Sequence, residues 1–193
     1  MNEKKITGKD LVNIGIYAAI YIVVNIVLSM IGYVPILMVL LIVLVPLIGA
    51  TPFMLFTTKV NKFGMILIFS IIVGILMALT GMGFYAIFTS IVCGLAADII
   101  AKSGKYQSRI KTIFATTVFS GWVWGNFLPF FFNRDTLLNA DSAMGIDYGK
   151  TLSNLLPNWM CPVLLVVAFV AGFIGALIGQ KLLKKHFNRA GIV

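Results

Sequence analysis

Trp122, Asn126, Phe130 and Asn133 stand at i, i+4, i+8 and i+11 within "SGWVWGNFLPFFFNRD". On a continuous helix that spacing puts all four on one face. Indole and phenyl faces stack on flat molecules, and amides both donate and accept hydrogen bonds. Such a face holds a molecule and does not break its bonds. An amide turned to lipid would be costly, so Asn126 is expected to face protein or ligand. Trp124 and Phe131 fall off the shared face and read as an interfacial belt, where Trp is enriched. Arg134 and Asp135 follow at the end of the apolar stretch.

Bond-breaking chemistry has no visible carrier. The chain has no GxxxxGK[ST] phosphate loop, no HExxH and no GxSxG. Its one histidine, His186, lies in a basic tail and reads as solvated. Cys93 and Cys161 show no metal-ligand spacing and make no disulfide framework. No catalytic residue, metal or cofactor is expected, and the chain is not expected to be an enzyme. One carboxylate, Asp98, lies inside an apolar segment, "CGLAADIIAKSGK", with Lys102 one turn on along the same face. It reads either as a boundary carboxylate paired with Lys102 or another loop cation, or as a contact to a partner.

The elements that must position these residues are membrane spans. The chain has 193 residues, 60% of them hydrophobic and only 11% charged. Soluble domains are closer to half apolar and a quarter charged. A bilayer core needs about 20 apolar residues as helix. Six candidate spans meet that need: 10–31, 34–58, 63–80, 84–101, 112–132 and 158–182. The expected fold is a single all-α membrane domain over 1–193. The apolar run from Leu11 to Ile31 is longer than a signal-peptide core and reads as a retained first helix. Pro35 suits a helix start, whereas Pro46 and Pro52 are expected to kink or break the second span.

Charge placement gives the orientation. With six spans, Lys4, Lys5, Lys9, Lys59, Lys62, Lys102, Lys105, Arg109, Lys111, Lys181, Lys184, Lys185 and Arg189 share one side, 13 of the 15 basic residues. Cytoplasmic loops carry the excess of Lys and Arg, so both termini are expected in the cytoplasm. The net charge of +9 is thereby explained by topology, and no nucleic-acid partner is expected. The other side receives the outer loop 133–157, with room for short helices at 136–144 and 148–156. That loop reads as a lid or as a connector.

No Asp, Glu, Lys, Arg or His stands at the middle of any span. Proton- and sodium-coupled transporters usually keep such residues there, so a self-powered transporter is disfavoured. No ring-forming filter repeat supports a channel. Two small-residue stripes stand out, Gly15 and Ala19 with Ala18 beside them, and Ala168, Gly172, Gly175 and Gly179. Small residues let helices approach closely within lipid. The second stripe is expected to pack within the chain; the first fits packing within the chain or against a partner.

These features together resemble the substrate-binding S component of energy-coupling factor (ECF) transporters, which belong to the ABC transporters. The segments "KDLVNIGIYAAIYIVV", "GATPFMLFTTKVNKFG", "SIVCGLAADIIAKSGKY", "LPNWMCPVLL" and "KKHFNRAGIV" are similar to the Trep_Strep or MptD-type subfamily of such proteins. The resemblance covers essentially the whole chain. It implies a multi-pass protein of the bacterial plasma membrane that captures a micronutrient outside. It further implies docking on a transmembrane T component coupled to two ATPase subunits. The family's AxxxA-like docking face falls here on Gly15 and Ala19, with Ala18 adjoining, and glycine replaces the usual first alanine.

The resemblance also places a pocket in the outer half, between helices four to six and the loop after helix one. Beside the face carrying Trp122, Asn126, Phe130 and Asn133, it selects Tyr33, Met82, Phe84, Tyr85, Thr89, Asn158 and Trp159. Arg134 would meet an anionic group. Aromatic faces with a few amides fit a vitamin, a heterocycle or a tetrapyrrole such as haem. The rival readings are a stand-alone secondary transporter or channel and, weaker, a membrane scaffold.

Overall fold

A computed structural model describes residues 5–82, 84–134 and 148–187, with the side chains of 81, 82, 186 and 187 outside the description. Among the described residues every regular element is helical. Helix α1 spans Gly8–Ser29 and runs into a 3₁₀ turn, Met30–Tyr33. Helix α2 spans Pro35–Thr57, and α3 spans Met65–Met77 and ends in a π turn, Ala78–Met82. Helix α4 is Tyr85–Ser103 and α5 is Arg109–Ser120. A 3₁₀ segment, Gly121–Asn126, leads to the single turn α6, Pro129–Phe132. A short helix α7, Tyr148–Leu155, precedes the long α8, Met160–Leu182.

Four stretches are long and apolar enough to cross a membrane: Gly8–Tyr33, Pro35–Thr57, Tyr85–Ser103 and Met160–Lys185. A shorter apolar stretch covers Met65–Thr80. Their outer faces are as apolar as their inner ones. On α1, Ile14, Ala18, Tyr21, Ile22, Asn25 and Leu28 are buried, while Leu11, Val12, Ile16, Val23 and Val27 are exposed. On α8, Val166, Val170 and Ile174 are likewise exposed. Apolar patches of that extent mark a surface that water does not cover.

Local chemistry sets the helix ends. Asp10 accepts from the Thr7 backbone N–H at 2.7 Å and from its hydroxyl at 2.6 Å, covering the start of α1. The same carboxylate forms an ion pair with Lys62, which ties α1 to the α2–α3 turn. Pro35 opens α2, where its missing N–H is not needed. Pro46 and Pro52 lie inside α2, which stays a single helix through both, so of the expected kink or break the break does not occur.

Glycines set how closely the helices approach. A Cβ on Gly175 of α8 would stand 2.6 Å from the Leu47 carbonyl oxygen of α2. One on Gly172 would meet Ser120 Oγ of α5 at 2.4 Å. The Ala168–Gly179 stripe is therefore consumed inside the bundle, as the sequence reading expected. Helix α3 meets α4 through a reciprocal pair, Gly74 against Ser90 and Gly94 against Ser70. At the centre, Phe53 stacks on Phe119 with centroids 4.0 Å apart, and Phe56 stacks on Phe69 at 4.5 Å.

The expected fifth span, 112–132, is not one helix. It divides into α5, the 3₁₀ segment and α6. Pro129 has no N–H to give the Gly125 carbonyl, so an α-helical ladder cannot run through it. Gly121 and Gly125 let the segment press on its neighbours. A Cβ there would lie 2.6 Å from the Phe169 ring and 2.0 Å from Thr89 Oγ1. The 3₁₀ segment ends at Asn126 and α6 starts afresh at Pro129, so Trp122, Asn126, Phe130 and Asn133 do not lie on one continuous helix face.

Candidate functional site

A small cavity opens at the end of the bundle away from the Asp10–Lys62 pair. Its volume is about 40 Å³. Asn25, Ile26 and Ser29 of α1 line it, with Met38, Leu41 and Val45 of α2, Met77 and Thr80 of the α3 end, and Trp122, Val123, Asn126 and Phe127. A buried water needs about 10–15 Å³ by this measure, so the space admits a few waters or one small end group.

The floor is built by a polar chain inside an aromatic core. Trp122, 1% exposed, donates its indole N–H to the Tyr21 hydroxyl at 2.8 Å. Tyr21 packs edge-on against Phe69 and Phe119. The Asn25 amide adjoins the same hydroxyl and donates from Nδ2 to the Tyr21 carbonyl at 2.7 Å. That bond uses the amide nitrogen and fixes which end is oxygen. Asn25 Oδ1 is buried without a hydrogen-bond partner, and so is Asn126 Oδ1. Buried polar atoms are nearly always paired, so two orphaned acceptors in one cavity wall call for an explanation.

The structure brings only Trp122 and Asn126 of the expected site residues to this cavity. Thr89 stands behind it. Its hydroxyl lies 3.0 Å from the Trp122 carbonyl and holds the 3₁₀ segment against α4. Phe130 packs on Phe127, with centroids 6.1 Å apart. Tyr85 stacks with Phe132. Arg134 donates to the Phe130 carbonyl at 3.0 Å and to the Leu156 carbonyl, so its guanidinium joins α6 to the end of α7. Tyr33 is 70% exposed and Trp159 67% exposed; Phe84, Asn133 and Asn158 are exposed as well. The Met82 side chain lies outside the described residues. Trp124 is no simple belt residue: its indole donates to the Cys161 carbonyl of α8 at 2.8 Å. The sequence reading missed Asn25 and Tyr21. Their signal was an amide inside the apolar run "YIVVNIV" with a tyrosine one turn before it.

A contact fixes the turn after α1, whose Gly32 lies against the cavity residues Met38 and Leu41. Helix α7 lies against α2, with Leu152 buried, and the Tyr148 hydroxyl donates to the Gly32 carbonyl in the turn after α1. Burial pushes the Tyr148 phenol above its ordinary pKa. The expected short helix at 148–156 is present as α7; its companion at 136–144 lies outside the described residues.

At the opposite end Asp98 is fully buried. It accepts from the Gly64 and Leu67 backbone N–H groups at 2.8 and 3.2 Å and from the Tyr106 hydroxyl at 2.9 Å. The carboxylate thus caps the N-terminus of α3, and Lys102 lies over the Phe63 ring at 4.5 Å. A larger cavity of about 300 Å³ at this end is bordered by Thr57, Gln107, Arg109 and Lys184. Its cations sit by the C-terminal ends of α2 and α8, where helix carbonyls attract positive charge. Among the described residues, no three His, Cys, Asp or Glu side chains gather as a metal site.

The small residues of α1 point two ways. Ala18 is buried in the core, whereas Gly15 and Ala19 face outward. A Cβ on Gly15 would meet nothing within 4 Å.

Long apolar helices with lipid-like outer faces, closed around a small polar-floored cavity, define a multi-pass integral membrane protein. The chain belongs to the family described as hypothetical bacterial integral membrane protein (Trep_Strep), whose model matches residues 8–189. No curated protein and no solved structure matches it.

Proposed function

We propose that this protein is the substrate-capture subunit of an ECF-type importer, an S component of the MptD type. The observation that carries the reading is the cavity with two unpaired amide oxygens, Asn25 Oδ1 and Asn126 Oδ1. It lies at the end opposite the Asp10–Lys62 pair and the cation-rich turns. In this reading the chain crosses the bacterial plasma membrane six times. The spans are α1, α2, α3 with its π turn, α4, the α5–α6 run and α8, with both termini cytoplasmic. The cavity then faces outward and receives a micronutrient.

The chain contributes binding and no hydrolysis. Energy comes from two ATPase subunits through a T component, which docks on the outward small face at Gly15 and Ala19. That face is open, while the matching stripe on α8 is already consumed by α2 and α5. A vitamin-sized ligand needs a pocket of roughly 300 Å³ or more. Capture therefore requires the Met30–Tyr33 turn, α7 and the Ala78–Met82 turn to part around the cavity. The Ala78–Met82 turn is π-helical, a geometry that recurs at functional sites.

Affinity purification of the intact protein from its own membranes tests the reading. A co-purifying T component and ATPases are the expected result. Uptake by the lone protein in ATP-free vesicles would overturn it. Replacing Gly15 with Leu is expected to abolish assembly while the isolated subunit still folds.

A further inference from the structure

Resting on the capture-subunit reading, we infer that the cavity selects the neutral, N–H-bearing end of its ligand, a primary carboxamide or amino-substituted heterocycle, over carboxylates and phosphates. The argument is an inventory of the cavity wall. Asn25 gives one amide hydrogen to the Tyr21 carbonyl, keeps its nitrogen beside the Tyr21 hydroxyl, and leaves Oδ1 without a partner. Trp122 spends its N–H on Tyr21. At the mouth, the Ser29 and Thr80 hydroxyls donate to the Ile26 and Met77 carbonyls of their own helices. Asn126 offers a buried oxygen, also unpartnered, and its own amide hydrogens.

The wall therefore presents two buried acceptors and one donor group, the Asn126 amide; the Tyr21 hydroxyl, which accepts from Trp122, stands behind Asn25 and does not line the space. A single –NH₂ has two hydrogens for the two oxygens. An adjacent carbonyl or ring nitrogen would accept from the Asn126 amide, the pairing by which an asparagine reads an amino-heterocycle edge.

Charge decides against the alternatives. No Lys, Arg or His lines the cavity, so an anion would enter without a counter-charge and meet two carbonyl oxygens. No Asp or Glu lines it either, so a cation would be buried unpaired. Arg134, the expected anion partner, does not line the cavity and holds the Phe130 and Leu156 carbonyls instead. Size adds that only an end group of the ligand enters the present space of about 40 Å³. The rest of the molecule lies toward Ile26, Ser29 and Thr80, against the adaptable Met38 and Met77 side chains.

Three probes of matched shape test this: benzamide, acetophenone, which lacks the N–H₂, and benzoate, which is an anion. The full chain in lipid nanodiscs is titrated with each by ligand-observed NMR, with protein-free nanodiscs of the same lipid measured alongside to subtract lipid partitioning. The expected result is saturable benzamide binding, about tenfold or more tighter than acetophenone, with no benzoate binding. Asn126→Leu is expected to erase the benzamide preference at unchanged melting temperature. Asn25→Leu should do the same, but it also frees the Tyr21 carbonyl, so Asn126→Leu decides the matter if Asn25→Leu does not fold. Equal binding of acetophenone, binding of benzoate, or no saturable benzamide binding would overturn the inference; the last would leave ordered water as the occupant of the two oxygens. Co-purification separates the two levels. Benzamide selectivity without a T component retains the ligand class and removes the importer role. A T component bound to a chain that prefers benzoate does the reverse.

Discussion

Trp122 and Tyr21, 101 residues apart in the chain, share a buried hydrogen bond of 2.8 Å. It joins the floor of the cavity to α1, the helix whose opposite face carries Gly15 and Ala19. Tyr21 also fills the space beside Gly49 of α2, where a Cβ would stand 3.1 Å from its ring. One side chain thus registers α1 against α2 and against the Gly121–Asn126 segment.

Tyr21→Phe removes the acceptor and leaves the Trp122 indole N–H buried and unpaired. The expected cost is about 1–3 kcal/mol of stability. Trp122→Phe removes the donor together with indole packing and should cost at least as much. Because the two changes delete one shared bond, the double variant should lose less than the sum of the single losses. Equilibrium unfolding in mixed micelles measures all three, and strict additivity would count against the bond.

The two small-residue stripes should respond oppositely to a methyl group. At Gly175 the added Cβ meets the Leu47 backbone oxygen, which cannot swing aside as a side chain can. Gly175→Ala is expected to destabilise by about 1–3 kcal/mol, the range for overpacking. At Gly15 the methyl meets open space, and alanine is the better helix former. Gly15→Ala should be neutral or stabilising in the isolated protein. The same unfolding measurement checks both, and a large loss at Gly15 would mean that this face is occupied within the chain.

What was legible in the sequence was whatever depends on runs and periods. Twenty-residue apolar stretches announce α1, α2, α4 and α8, and the Ala168–Gly179 spacing announces a close helix contact. What was not legible depends on contacts distant in sequence. The 3₁₀ course of Gly121–Asn126 is set by Thr89 and Phe169 pressing on two glycines. The break between that segment and α6 separates Trp122 and Asn126 from Phe130 and Asn133, which an unbroken helix would have aligned. Asn25 could be noticed as an amide in an apolar run, but its unpaired oxygen follows from where its nitrogen bonds. The Phe130 and Leu156 carbonyls that Arg134 holds are likewise contacts that its sequence neighbours do not announce.

The Tyr148–Gly32 latch gives a kinetic prediction with a pH signature. Tyr148→Phe keeps the ring and removes the bond, so α7 should open more often. Amide hydrogen exchange over 148–155 and 30–34 should quicken severalfold while exchange in the α2 core stays unchanged. Only the protonated phenol can donate, and burial holds its pKa above the ordinary value near 10. The folded value is raised, so the latch contributes fully below the ordinary value and is lost as pH climbs through the raised one. Wild type and variant should therefore differ throughout the neutral range and converge only above pH 10. Convergence at lower pH would show that the hydroxyl does not hold α7.

Asp98 gives the last prediction, because its partners divide into two kinds. The Gly64 and Leu67 N–H groups belong to the first turn of α3, and Tyr106 reaches Asp98 from the turn after α4. That turn needs left-handed backbone at Lys105 and Tyr106, with φ of 51° and 57°, unfavourable for both residue types. The hydrogen bond to Asp98 helps offset that conformation. Asp98→Asn keeps an acceptor for α3 and should cost about 1 kcal/mol, whereas Asp98→Ala strands two backbone donors and the phenol and should cost about 2–4 kcal/mol. Tyr106→Phe removes only the third bond and should cost less than Asp98→Ala. Lys105→Gly relaxes one strained position, and it should recover part of the Tyr106→Phe loss. Unfolding of the four variants in one micelle composition checks the order. If Asp98→Ala were no worse than Tyr106→Phe, the carboxylate would be serving the turn and not the start of α3.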